Sequence, residues 1–305
     1  METRHALVRR PSPRMGDGLV THIERSEVDY ELAQRQWEAY VDALHVAGWT
    51  THEVEPADEH ADAVFIEDTM VVFGDLAVIS RPGADERRGE TTAAETAVAA
   101  HGYRIARIEP PGTLDGGDVL KVGSRVWVGT GGRTNEDGAS QLAELLAPLG
   151  ATVVPVPVRK VLHLKSGVTA LPDGTVIGHL PLVDDPEVWT GHFLAVPEES
   201  GAHVVLLGDT TVLMAASAPE SAELFRGKGL DVVTVDISEF EKDGGLRHLP
   251  VGAAPGAPER GLTGQVGPLR PQPTISNARS ATATSRRRCG SVATGPRIRC
   301  SFPTR

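Results

Sequence analysis

Four short clusters carry the side chains able to do polar chemistry, and each sits at the end of an apolar stretch or in a loop. "DAVFIEDT" (62–69) sets Asp62, Glu67 and Asp68 around the apolar residues Val64 to Ile66. Several planar acceptors so close together suit a delocalised cation such as a guanidinium, although solvated acids at a strand end would be spelled the same way. "LDGGDV" (114–119) puts Asp115 and Asp118 on either side of two glycines. Glycines permit a tight turn or a close approach to a ligand, and an ordinary hairpin uses them as well. "GGRTNEDG" (131–138) offers Arg133, which is either a loop arginine or a fork for a carboxylate. "LHLKSG" (162–167) sets His163 between apolar residues, as a packed imidazole or as an acid–base group. No H-x-x-x-H or CxxC spacing occurs, and no glycine-rich nucleotide pattern opens a helix, so no metal or nucleotide cofactor is expected.

The elements that must position these clusters follow a recurring order. "DLAVIS" (75–80) reads as a strand, "ETTAAETAVAAHG" (90–102) as a helix closed by a glycine, and "YRIARIE" (103–109) as a second strand. The same order returns over 124–158 and over 210–236. Each copy follows another short strand: "AVFIED", "GDVLKV" and "HVVLLG". A repeated ββαβ unit predicts a wheel-like α/β domain, because no single unit can bury its own apolar face. An open α/β sheet has the same local periodicity. The pattern is weaker over 162–197, where no strand is assigned.

Composition narrows the setting. With 305 residues, 40% hydrophobic and 23% charged, the chain has the make-up of a soluble globular protein. It has no apolar run long enough for a transmembrane helix and two cysteines, Cys289 and Cys300, and no signal peptide is expected. A disulfide scaffold is excluded, and a cytoplasmic location is expected. Charge is divided unevenly. Residues 246–305 hold ten arginines, no lysine and one acid, Glu259, whereas residues 1–245 are strongly acidic. An acidic body disfavours nucleic acid and suits a cationic small molecule. The segment 246–305 is rich in Pro, Gly, Arg and Ser without either period, and is expected to be a disordered basic tail on a 1–245 domain.

Taken in order, "FIEDT", "RPGADERR", "LDGGDVL", "GRTNEDG", "LHLKS" and "SEFEK" resemble the dimethylarginine dimethylaminohydrolases, within the pentein group of guanidine-modifying enzymes. The resemblance covers roughly residues 4 to 245. It implies a five-bladed ββαβ pentein propeller and hydrolysis of methylated arginine to citrulline, without a cofactor. That reaction belongs to arginine metabolism and to nitric oxide regulation. A small-molecule substrate is the partner expected, with no nucleic acid and no membrane; a homodimer is among the assemblies the resemblance allows. It implies that Asp62, Glu67 and Asp68 hold the substrate cation, that Arg87 and Arg133 surround its carboxylate, and that Leu19 belongs to a lid. It makes His163 the catalytic histidine, Asp115 the acid beside it, and the main chain at Asp243 a contact to the substrate amino acid. The alternatives are an arginine-deiminase-type enzyme of the same group and a protein that binds an arginine derivative without turning it over.

The chain departs from the family pattern after Gly245. The family's nucleophile is a cysteine in a Thr-Cys-Leu-Ser segment shortly after "SEFEK", where this chain reads "LRHLPVGAAP". Written as CTG CGT CAC CTG CCT GTC GGT GCG GCT CCG and read one nucleotide later, that stretch spells Cys-Val-Thr-Cys-Leu-Ser-Val-Arg-Leu. The second base of each codon here is forced by the genetic code and becomes the first base of a shifted codon, and all nine agree. The chain from about Leu246 therefore reads as an out-of-frame translation, with the nucleophile expected at the position of Leu249. Cys289 lies some forty residues too late to replace it. The shift is also expected to remove the closing strand, Val-Arg-Leu, and to leave unpaired backbone groups in the last blade.

Overall fold

The chain builds five three-stranded sheets. The structure is a computed structural model that describes residues 4–19 and 27–242 and the backbone of Gly252–Ala254. Asp243, Leu249 and the rest of the tail expected over 246–305, apart from the backbone of Gly252–Ala254, lie outside the described residues.

In chain order the elements are β1 (Arg4–Val8), α1 (Tyr30–Val46) and β2 (Trp49–Glu53), then β3 (Met70–Phe73), β4 (Leu76–Ile79), α2 (Thr91–Ala100) and β5 (Arg104–Arg107). They continue with β6 (Val119–Val122), β7 (Arg125–Thr130), α3 (Glu136–Leu146) and β8 (Thr152–Pro157). Next come β9 (Val168–Ala170), β10 (Val176–Gly178) and β11 (Phe193–Ala195). The last are β12 (Val204–Leu206), β13 (Thr211–Ala215), α4 (Pro219–Gly227), β14 (Asp231–Val235), α5 (Ser238–Glu241) and β15 (Gly252–Ala254). Each sheet joins one antiparallel and one parallel pair, as in β3–β4–β5, where Val71 faces Val78 and Val78 faces Ala106. The parallel step needs a crossover, and in four sheets a helix supplies it.

Local chemistry explains the helices. Asp29 caps α1 by accepting from the Leu32 amide, and Ala33, Trp37, Tyr40 and Leu44 form its buried stripe. Asn135 caps α3 by accepting from Gly138. Part of "GGRTNEDG" is therefore a helix start. After α2, Gly102 has φ +83°, a left-handed conformation that a glycine reaches without strain.

Five hydrophobic clusters alternate with the five sheets and link them in a ring. One joins Leu7 of the first sheet to Ile79 of the second, and another joins Val78 to Val126 of the third. Leu120 and Val176 meet in the next, and Ile177 and Val212 in the one after. The fifth packs Trp37 and Tyr40 of α1 on Leu213 and Val235, which closes the circle. Fully burying side chains of this size is worth roughly 1.5–3 kcal/mol each. This is the wheel that the repeat implied.

Three expectations need correction. "AVFIED" is not a strand. Ala63 to Ile66 are fully buried, but Phe65, Ile66 and Asp68 donate turn hydrogen bonds to Asp62, Val64 and Phe65, and β3 begins only at Met70. Its apolarity reports burial at the hub of the wheel, which short runs share with strands. The fourth unit, over 162–197, has no α-helix; two 3-10 turns, Leu180–Leu182 and Pro186–Trp189, make its crossover. Finally, the edge beside β1 is not left unpaired at these residues. Gly252–Ala254 runs antiparallel to β1, with Ala6 opposite Ala253. Ladder bonds are made by the backbone, so Gly-Ala-Ala can take the place of Val-Arg-Leu.

Candidate active site

Three short 3-10 turns meet at the hub. Ile66–Thr69 precedes β3, Gly116–Asp118 precedes β6 and Leu164–Ser166 precedes β9, and the middle turn packs against the other two. Asp68 lies within the first turn, Asp115 and Asp118 flank the glycines of the second, and His163 is the residue just before the third. Equivalent positions in successive blades thus deliver the polar groups to one point. The glycine pair makes this possible. A Cβ on Gly116 would collide with the Glu67 carbonyl, and one on Gly117 would stand 2.6 Å from Asp68 Oδ1 and 3.0 Å from His163 Cγ.

His163 is completely buried, and three carboxylates surround it. Its Nδ1 is 3.3 Å from Asp118 Oδ2, and its Nε2 is 3.9 Å from Asp68 Oδ2 and 4.0 Å from Asp115 Oδ2. Burial pushes the imidazole down, but Asp68, Asp118 and Asp115 together outweigh it and hold it up at about 9. Asp115 is pushed up to about 6 by burial first, against the pull of His163. The carboxylates thus favour the protonated imidazole, while burial disfavours the ionised form of Asp115 beside it.

The acids of the first cluster have different partners. Asp68 accepts from the Gly117 amide at 2.7 Å and from Arg87 Nη1 at 2.7 Å. Glu67 pairs with Lys165 Nζ at 2.8 Å, and burial raises its carboxyl. Asp62 is buried; its Oδ2 accepts from the Leu19 amide at 3.2 Å, and its Oδ1 has no hydrogen-bond partner among the described residues.

The two expected arginines diverge. Arg87 is 3% exposed and fully engaged inside the protein. Its Nε and Nη2 form a fork on Glu90 at 2.9 and 2.7 Å, and Nη2 also reaches the Asp62 carbonyl. In this structure it braces Asp68. An arginine this deep must be paired, and its carboxylates take all of its fork. Arg133 is half-buried, with Nη1 unpartnered among the described residues, and Gly132 beside it packs against the Leu162 carbonyl.

The structure therefore brings together His163, Asp115, Asp68, Glu67 and Asp62, with Leu19 on the rim. Asp243 and Leu249 lie outside the described residues, Leu249 three positions before β15. The sequence singled out Asp118 only as one of two aspartates around the glycine pair and gave no site role to Thr134, Lys165 or Glu90. All four stand within or beside quoted motifs, and hydrogen-bonding type next to a glycine turn was the one signal pointing to them. Among the described residues, no group of three His, Cys, Asp or Glu side chains is arranged to hold a metal ion, and no helix is long and apolar enough to cross a membrane.

Comparison with known proteins gives a consistent result. No family model matches the chain. The N(G),N(G)-dimethylarginine dimethylaminohydrolase of Streptomyces coelicolor is 61% identical over 242 residues, 79% of this chain and 93% of the relative. That of Pseudomonas aeruginosa is 35% identical over 80% of this chain and 96% of the relative. A cysteine-to-serine variant of the Pseudomonas aeruginosa enzyme, solved in complex with citrulline, superposes with a TM-score of 0.76 at 32% identity, over 83% of this chain and all of that one. The N-terminal domain of a cyanobacterial arginine dihydrolase, at 20% identity and a TM-score of 0.73, shares the fold.

Proposed function

The chain belongs to the dimethylarginine dimethylaminohydrolase family, and on that premise we propose that its site is built to hydrolyse Nω,Nω-dimethyl-L-arginine, and the monomethyl compound, to L-citrulline and the methylamine. The observation that carries this is the meeting of Asp68, Asp115 and Asp118 on one buried imidazole within 4.0 Å. A guanidinium carbon is a poor electrophile because its charge is delocalised, so the reaction needs a thiolate and a fixed plane. Asp62, Glu67 and Asp68 supply the acceptors that fix the cation, and Arg133 the fork for the substrate carboxylate. The family thiolate adds to the carbon and the dimethylamine leaves with a proton from His163. The neutral imidazole then takes a proton from water, whose oxygen displaces the thiolate and becomes the citrulline oxygen.

As written, residues 1–245 form the catalytic domain and residues 246–305 are an out-of-frame tail. The first relative is matched over 93% of its length within 79% of this chain, which leaves about a fifth of this chain outside that match. The pocket then binds methylated arginine and does not turn it over, because Leu249 offers no nucleophilic atom. Water attacking directly would forgo the covalent intermediate that divides the barrier. A cytoplasmic setting suits a chain with only two cysteines.

The test compares citrulline release by the 305-residue chain and by a chain corrected by one nucleotide after Gly245. Release by the corrected chain alone is expected; equal activity in both would overturn the placement of the nucleophile. Calorimetry on the 305-residue chain should show dimethylarginine binding that Asp68→Ala abolishes, and unchanged affinity would refute the clamp.

A further inference from the structure

We propose that Asp118, locked by the Thr134 hydroxyl and the Leu164 amide, is a positioning residue that fixes the tautomer of His163, so that Nδ1 carries its proton and Nε2 faces the substrate. The inference rests on the catalytic reading of His163 given above.

The geometry sorts the three carboxylates by the ring nitrogen they face. Asp118 lies on the Nδ1 side at 3.3 Å, whereas Asp68 and Asp115 lie on the Nε2 side at 3.9 and 4.0 Å. Glu67, the other acid whose charge reaches the ring, belongs to the turn that carries Asp68. Among the described residues, the acids of the clamp therefore share one side of the imidazole, and Asp118 faces the other.

Asp118 is also held differently from its neighbours. Its Oδ1 accepts from the Leu164 amide at 2.9 Å and its Oδ2 from Thr134 Oγ1 at 2.7 Å. The same Thr134 oxygen accepts from the Asp115 amide at 3.1 Å, which fixes the direction of the hydroxyl proton toward Asp118. Both carboxylate oxygens thus face donors, an arrangement that opposes rotation of the group. Asp115 instead accepts from Gly83 through Oδ1, and its Oδ2 has no hydrogen-bond partner among the described residues. Asp115 can take up and release a proton, and Asp118 is set to hold one on its neighbour. Space for Asp118 is provided by Gly129 of β7, where a Cβ would stand 2.9 Å from Asp118 Oδ1 and 2.8 Å from Leu164 Cβ. The ring itself is confined by Gly117, against its Cγ and Cδ2. A neutral imidazole donates from one nitrogen and accepts at the other, so an anion fixed at Nδ1 leaves Nε2 as the proton-exchanging atom.

The experiment is an imidazole 15N titration of the 305-residue chain, which reports both the tautomer and the protonation of His163. The unaltered chain should show the Nδ1–H tautomer in its neutral form. Asp118→Asn, nearly isosteric, should lower the His163 pKa by about one unit or more, the scale set by one adjacent charge, and should populate Nε2–H. Thr134→Val should move both readouts the same way by less, and Thr134→Ser should restore them. A residue that merely supports packing would not shift the tautomer or be rescued by serine. Unchanged tautomer and pKa in folded Asp118→Asn would overturn the assignment, as would an Nε2–H tautomer in the unaltered chain. Should Thr134→Val fail to fold, Asp118→Asn and Thr134→Ser still decide. Loss of dimethylarginine binding by the unaltered chain would count against the function proposed above, and it would leave the tautomer readout intact.

Discussion

The molecule contains two gatherings of polar rings and charges, and they are tuned in opposite directions. At the hub, His163 is buried among Asp68, Asp115 and Asp118, and its imidazole is held up at about 9. On the first blade, His52 of β2 meets other imidazoles: its Nε2 is 2.8 Å from His5 Nδ1 on β1, and its ring lies 4.2 Å from that of His101, just after α2. Burial first, then His101 and His5, pull His52 down. The more deeply buried imidazole is the one more easily charged. Burial sets a penalty, and the signs of the neighbours decide the outcome.

The comparison would be broken most decisively by activity. In the chain with its frame restored after Gly245, His163→Ala should lower citrulline release by roughly a thousandfold, within the range of a lost acid–base group. His52→Ala should leave the rate within about twofold. A comparable loss in both would show that the two sites are coupled.

Stability sharpens the same contrast through the arginines. Arg87→Ala leaves Glu90 and Asp68 buried without their partner and should cost about 3–5 kcal/mol in denaturant unfolding. Arg88→Ala removes a partly exposed pair with Asp85 and should cost less than about 1 kcal/mol. Similar midpoints for both variants would mean that the Arg87 brace is not part of the folded hub.

The smallest effect, and the most diagnostic in sign, is that of pH. His163 has a folded pKa above its unfolded value, so its contribution is fully present below about pH 6.5 and is lost as pH rises toward 9. His52 has a folded pKa below its unfolded value. Its protonation therefore costs stability as pH falls below about 6.5. Melting temperature measured against pH should decline on both sides, and His52→Gln should flatten only the acid limb. An unchanged acid limb would remove the trio from the account.

How much of this was legible depends on the range of the interaction concerned. Strand, helix and glycine order over 75–109, 124–158 and 210–236 could be read because periodicity and helix-ending glycines act within a few residues. The fourth unit could not, because its crossover has no helical period to read. "AVFIED" misled because full burial at a hub and burial in a strand give the same apolar run. In the site, the acids and His163 were visible as residue types, and the resemblance named Asp115 as the partner of the histidine. The distances instead put Asp118 nearest, at Nδ1. Two aspartates three positions apart around a glycine turn look alike until the turn's rotation is known.

The sequence by itself determined the repeating unit, the acidic body and the residue types of the site, since each of these is a property of residues close along the chain. Only the tertiary structure decided that Arg87 braces Asp68, that Thr134 hands its hydroxyl to Asp118, that Lys165 meets Glu67 and that Gly252–Ala254 lies beside β1. These partners lie 16 to 98 residues apart along the chain, and Gly252–Ala254 lies farther still from β1; Lys165 and Glu67 join two blades, and the other pairs form within one. Their pairing is set by how each blade folds and how the blades meet, and both are driven by apolar side chains that do not record which polar groups they will bring together.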